Sequence, residues 1–201
     1  MKQHLKIWEI SLLVALCITL CAGIFAKAEQ GRLSGELIRL HVIANTDSTS
    51  DQSVKLKVRD SVLEVLTPML DGATDVKEAE SIIKSALPQL CRVSETILIN
   101  NGKYYSAKAE ICFETYPTRN YEGFALPAGN YISLKIILGE GMGHNWWCVV
   151  FPPLCMTSVE DEDAFTGLSN ETEKLITTDG NEYRVKFRII ELYEELKQSF
   201  N

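Results

Sequence analysis

Residues 144–155 read His144-Asn145-Trp146-Trp147-Cys148-Val149-Val150-Phe151-Pro152-Pro153-Leu154-Cys155 and hold two of the chain's three tryptophans and two of its six cysteines. The apolar run Trp146 to Phe151 fits a fully buried strand. Pro152 and Pro153 must end it, because neither can donate to a sheet ladder. The stretch therefore predicts a core strand, central in its sheet, that stops abruptly with a cysteine on each side. One account leaves the tryptophans as core and the cysteines as small buried hydrophobes. Another adds a disulfide between Cys148 and Cys155. An extended chain would separate them by roughly 23 Å, whereas a bridge needs Cα atoms within about 7 Å, so the prolines would have to reverse the chain. Loop-closure entropy then assigns the bridge about 2.5 kcal/mol.

The segments before this strand supply the rest of the sheet. Tyr131 to Leu138 alternates, with Ile132, Leu134, Ile136 and Leu138 on one face, and Gly139-Glu140-Gly141-Met142-Gly143 is a turn into the tryptophan strand. A second alternating stretch sends Ala107, Ala109, Ile111 and Phe113 inward and Lys108, Glu110, Cys112 and Glu114 outward. Asn100-Asn101-Gly102 before it reads as a hairpin-like turn. From Glu36 to Ala44, Ile38, Leu40 and Val42 share one strand face and Arg39 and His41 the other.

Two helices fall between the first strand and the others. Ser48 or Ser50 caps the first, Asp51 sits near its positive end, and Val54, Val58, Val62, Val65 and Leu66 form an apolar stripe that Pro68 and Gly72 close. The second runs from about Asp75 to Ala86, with Asp75 and Glu78 as a capping box. Strand, two helices and at least three further strands make an α+β domain with a mainly antiparallel sheet packed by two to three helices. Ser158 to Thr178 is polar and acidic, and an amphipathic helix is expected from about Tyr183 to Phe200.

The amino terminus sets the compartment. Lys2 and Lys6 precede an apolar run from Ile10 to Ala26, and Ala26-Lys27-Ala28 matches a signal-peptidase site. Residues 1–28 are thus a signal peptide or an uncleaved anchor, 29–157 the core domain, and 158–201 an acidic loop with a terminal helix. Losing Lys2, Lys6, Lys27 and Glu9 with the leader takes the formal charge from −7 to −9. Such a domain is a poor partner for nucleic acid or an anionic membrane, so its one membrane contact is expected through the leader. Outside the cytoplasm, Cys91, Cys112, Cys148 and Cys155 admit three pairings.

Catalytic chemistry finds little support. Cys148 and His144 could serve as nucleophile and base, but on one strand they would stand roughly 13 Å apart, and a bridge to Cys155 would remove the thiolate. No His or Cys pair has a metal-ligand spacing, so neither a metal nor another cofactor is expected. Capping explains Asp47 and Asp51, and Gly139 to Gly143 lacks the ending of a phosphate loop.

Two blocks carry a resemblance: Ile38-Arg39-Leu40-His41-Val42-Ile43-Ala44-Asn45-Thr46-Asp47-Ser48, running on through Asp51-Gln52 and Leu56-Lys57-Val58-Arg59-Asp60, and Asn145-Trp146-Trp147-Cys148 to Pro152-Pro153-Leu154-Cys155. With Pro127-Ala128-Gly129 and Tyr131 between them, the chain over about residues 36–156 resembles stage II sporulation protein R of endospore-forming Firmicutes. Thr46 departs from the Ser expected there and keeps the hydroxyl. The resemblance implies a protein exported from the forespore to the space between the two sporulating compartments. There it would activate a membrane-embedded aspartic protease of the mother cell, which then processes the precursor of the early mother-cell sigma factor. Three surfaces are candidates for that contact: the loop Asn45 to Gln52 with Asp47, the strand face carrying Arg39 and His41, and the turn Gly139 to Asn145 with Trp146 beside it. The alternative is an exported cysteine hydrolase acting on cell-wall peptides through Cys148 and His144.

Overall fold

The computed structural model describes residues 2–121 and 124–154. Its elements are α1 (Lys2–Gly35), β1 (Ile38–Ile43), α2 (Thr49–Leu70), α3 (Val76–Asn100), β2 (Ala107–Tyr116), β3 (Arg119–Tyr121), β4 (Phe124–Leu126), β5 (Gly129–Leu138) and β6 (Asn145–Phe151). The expected acidic loop and terminal helix of 158–201 lie outside the described residues, as does Cys155.

The sheet order is β2-β5-β1-β6, with β3 and β4 forming a separate two-stranded ribbon. Adjacent strands pair antiparallel for β2–β5 and β1–β6, and parallel for β1–β5. The tryptophan strand is therefore an edge strand and not the central one. Its apolar run reflects cover on both faces, which lets consecutive residues be apolar wherever a strand sits in its sheet.

One face packs against α2 and α3 through Ile38, Leu40, Val42, Ile132, Leu134, Ile136, Cys148 and Val150, as the alternation predicts. Phe113, expected inward, is 76% exposed on β2, the other edge strand. The opposite face carries Tyr116, Tyr131, Trp147 and Val149, packed with Leu33 from the end of α1, Leu37, Leu126 and Leu154. Trp146 and Trp147 thus point to different sides of the sheet, and each is half-buried.

α2 starts where its cap allows: Ser48 Oγ accepts from the Asp51 amide at 3.1 Å. For α3, Asp75 accepts from the Glu78 amide at 2.9 Å, while Glu78 reaches back to the amide of Thr74 rather than that of Asp75. The helix does not end at Ala86. It runs through Pro88 to Asn100, because Ala79, Ile83, Ala86, Leu90, Ser94 and Leu98 form an unbroken buried face. That burial outweighs the roughly 3 kcal/mol an interior proline costs. The Asn-Gly that reads as a hairpin turn instead closes α3. Gly102 at φ +71 lets Lys103 N donate to Leu98 O and Gly102 N to Ile99 O, a Schellman ending.

α1 is long and apolar enough to cross a membrane by length and composition, consistent with a signal or anchor. From Ile7 to Phe25 its described side chains are exposed. Its last turns belong to the domain: Leu33 is buried, and Gln30 Nε2 donates to Ala128 O at 2.7 Å.

Candidate functional site

The two candidate loops, far apart in sequence, form one structure. Met142 N donates to Asn45 O at 3.1 Å, Gly143 N to Ala44 O at 2.9 Å, and Glu140 N to the Asn45 side-chain oxygen at 2.9 Å. His144 N donates to Asp47 Oδ1 at 2.6 Å, and the His144 ring bonds the same oxygen through Nδ1. Lys55 Nζ, from the first turns of α2, donates to His144 O at 2.9 Å and to Gln52 at 2.7 Å. Glycine is required in this turn for two reasons. Gly141 sits at φ +63, and a Cβ on Gly143 would collide with the carbonyl of Thr46.

Asp51 anchors the loop from below. It is 4% exposed, pairs with Lys103 at 2.5 Å, and accepts from Thr46 at 2.6 Å, Tyr105 at 3.0 Å and Asn45 at 3.2 Å. Burial pushes its pKa up, but bonds from Lys103, Thr46, Asn45 and Tyr105 outweigh it and hold the carboxyl well below its usual range. The same burial and the Asp51 bond push the Tyr105 phenol up. Asp47 is also held low, chiefly by the His144 amide. Burial lowers the Lys55 ammonium. Asp51 is thus more than a helix cap, and Lys55, expected on a polar helix face, is 4% exposed.

Beneath the junction lies a buried polar layer. Arg39 and His41 do occupy the sheet face opposite the helices, but that face is covered, and they are 0% and 7% exposed. They are not available as an outward contact surface. Arg39 stacks on Tyr116 at 4.0 Å and Tyr131 at 5.1 Å. His41 Nδ1 meets Glu114 at 3.0 Å, Glu114 accepts from Lys135 at 2.6 Å, and Tyr116 and Ser133 share a bond of 2.7 Å. Burial raises the Glu114 pKa, but Lys135, Ser133 and His41 lower it by more; the bond to Glu114 raises that of Lys135. His41 packs at 5.6 Å from Trp147, which also carries Arg119, the guanidinium 3.9 Å from the ring centroid. Trp146, on the helix side, carries Arg59 in the same way at 4.2 Å.

At the surface, Asp47, Arg119, Met142, His144, Asn145 and Trp147 line a shallow groove. Of the contact residues expected from sequence, Asp47 and Asn145 line it, Asn45 is engaged in the loop junction through Glu140, Met142 and Asp51, and Trp146 lies one residue away on the other side of β6. Arg119 escaped the sequence reading altogether, since nothing in its short polar segment marks it. Cys148 faces the helices at 5% exposure and is disulfide-bonded; its expected partner, Cys155, lies outside the described residues. Cys91 and Cys112 are free thiols. With His144 exposed and its ring on Asp47, the geometry assembles no thiolate–imidazole pair. Among the described residues no cluster of His, Cys, Asp or Glu could hold a metal ion.

Comparison with known proteins agrees with the two sequence blocks. The family model for stage II sporulation protein R matches residues 34–161. The chain is 33% identical over 147 residues to stage II sporulation protein R of Bacillus subtilis (strain 168), a match covering 70% of this chain and 66% of that protein, just under two thirds of its length. No solved structure matches the chain.

Proposed function

The chain belongs to the stage II sporulation protein R family, a family of sporulation proteins, and from that premise we propose that it is an exported signalling protein that activates a protease. In this reading the forespore exports it through α1 into the intermembrane space. There it binds a membrane-embedded aspartic protease of the mother cell, which then processes the precursor of the early mother-cell sigma factor.

The observation that best supports activation by binding is the fusion of the Asn45–Gln52 loop with the Gly139–Asn145 turn. Their bonds hold Asn45, Asp47, His144 and Asn145 in one fixed arrangement without assembling a nucleophile. A preformed surface loses little conformational entropy on docking. Activation requires tighter binding to the active than to the inactive protease, and a ten- to hundredfold effect needs about 1.4 to 2.8 kcal/mol of that difference. A few contacts suffice.

Cys148 supports this reading over the cysteine hydrolase, since a buried half-cystine cannot supply a thiolate. The test is co-expression of the chain with the protease and the sigma-factor precursor in a non-sporulating host. Processing that depends on the chain, and survives Cys148→Ser in folded protein, supports the activator. Absence of processing with a folded, exported chain refutes it.

A further inference from the structure

We propose that the groove between Arg119, Trp147 and the Asp47–His144 bridge receives a carboxylate-bearing segment of the partner protein, with Arg119 as its anchor. The inference rests on the activator reading and names the chemistry its partner must present. Both tryptophans of the edge strand carry a stacked arginine, and the two stacks differ in one respect. Arg59, over Trp146, is neutralised within the chain, its Nε 2.7 Å and its Nη2 2.5 Å from Asp60 Oδ1. Arg119, over Trp147, is exposed and has no carboxylate partner among the described residues.

A shortage of acids does not explain this, because the chain has 27 acidic residues against 20 basic ones. Stacking fixes the guanidinium plane while leaving its N–H edge free, the geometry that suits bidentate capture of a carboxylate. Trp147 is itself wedged at 5.6 Å from His41 and 6.1 Å from Tyr116, so the platform under Arg119 is rigid.

The neighbours decide how the ligand lies. Asp47 would repel a second carboxylate, and its Oδ1 is already taken by the His144 amide and ring, so the incoming acid must sit on the Arg119 side. Met142, 80% exposed on the groove's rim, offers apolar contact to the rest of the segment. The chain's net charge of −7 repels an acidic partner elsewhere, which confines a productive approach to this point. One cation in acidic surroundings is too little for a nucleic acid.

The experiment places R119Q, R119E and R119K in the full chain, in the same co-expression assay, with melting midpoints and solution mass measured on each purified chain. R119Q is expected to lower processing about tenfold, R119E further, and R119K to retain part of the activity, all with unchanged melting. Restoration of R119E by an acidic-to-arginine change in an external segment of the protease would identify the carboxylate. Wild-type processing by folded R119Q and R119E overturns the inference and leaves the activator reading standing. Failure of the unmodified chain to support any processing overturns the activator reading itself. A wild-type dimer that R119E converts to a monomer assigns the groove to a second copy of this chain instead.

Discussion

Asp47 and His144, 97 positions apart, are joined twice, through the His144 backbone amide at 2.6 Å and through the ring nitrogen Nδ1. The double bond of contacts fixes the N-terminal loop to the glycine turn. It explains why two segments that read as independent loops behave as one surface.

Asp47→Ala removes both contacts at an exposed position. Its expected outcome is a fall in sigma-factor processing of about tenfold with the unfolding midpoint near that of the parent. Processing at the parent level in the folded variant would exclude the junction from the contact.

Asp51→Asn should act on stability instead, because it leaves Lys103 without its partner in a site that is 4% exposed. A loss of about 2 kcal/mol is expected in urea unfolding. The pH dependence has a definite sign. Asp51's folded pKa lies below its ordinary 3.8, and Glu114's below its ordinary 4.5. Their stabilisation is therefore complete above those ordinary values and is lost as pH falls through the lowered folded ones. Asp51→Asn should flatten that acid limb; an unchanged limb refutes the assignment.

Lys135 has the opposite sign. Its bond to Glu114 raises its pKa above 10.5, so its contribution is present below that value and fades as pH rises through the folded one. Glu114→Gln should remove this alkaline loss and cost about 2 kcal/mol at neutral pH. Denaturant unfolding between neutral and strongly alkaline pH checks both.

Pro88 sits exposed inside α3, where no prolyl N–H can complete the ladder. Pro88→Ala should stabilise the domain by about 2 kcal/mol, the helix gain less the added freedom of the unfolded chain. Equal stability would mean that the helix has adapted around the ring.

Cys148 is expected to bridge Cys155, which non-reducing peptide mapping reads directly. Cys148→Ser should cost about 2.5 kcal/mol by the loop-entropy estimate. Folded variant protein that still activates processing is the expected outcome, and loss of activity at full stability would favour the hydrolase.

Local rules carried much of this fold. Ser48, Asp75 and Glu78 marked helix starts because capping is decided by the first turn alone. Alternation placed Ile38, Leu40 and Val42 against Arg39 and His41 correctly, since period two follows from the pleat. The same rules misled where a distant partner decided. The second helix reads as ending near Ala86, yet its buried face continues through Leu90, Ser94 and Leu98; Asn101-Gly102 reads as a hairpin, yet the helix uses it as a cap. Arg39 and His41 read as outward, yet Tyr116, Tyr131, Trp147 and Glu114 pack against them.

The sequence by itself determined the α+β class, the apolar N-terminal helix, the starts of α2, α3 and the four strands of the main sheet, and the family, because each rests on neighbours within a few positions or on the residues themselves. Only the tertiary structure decided that β6 lies at the sheet edge, that the Asn45 and Gly139 loops lock together, and that Arg119 is set over Trp147. Those facts depend on pairings between segments tens of residues apart, whose geometry no local periodicity encodes.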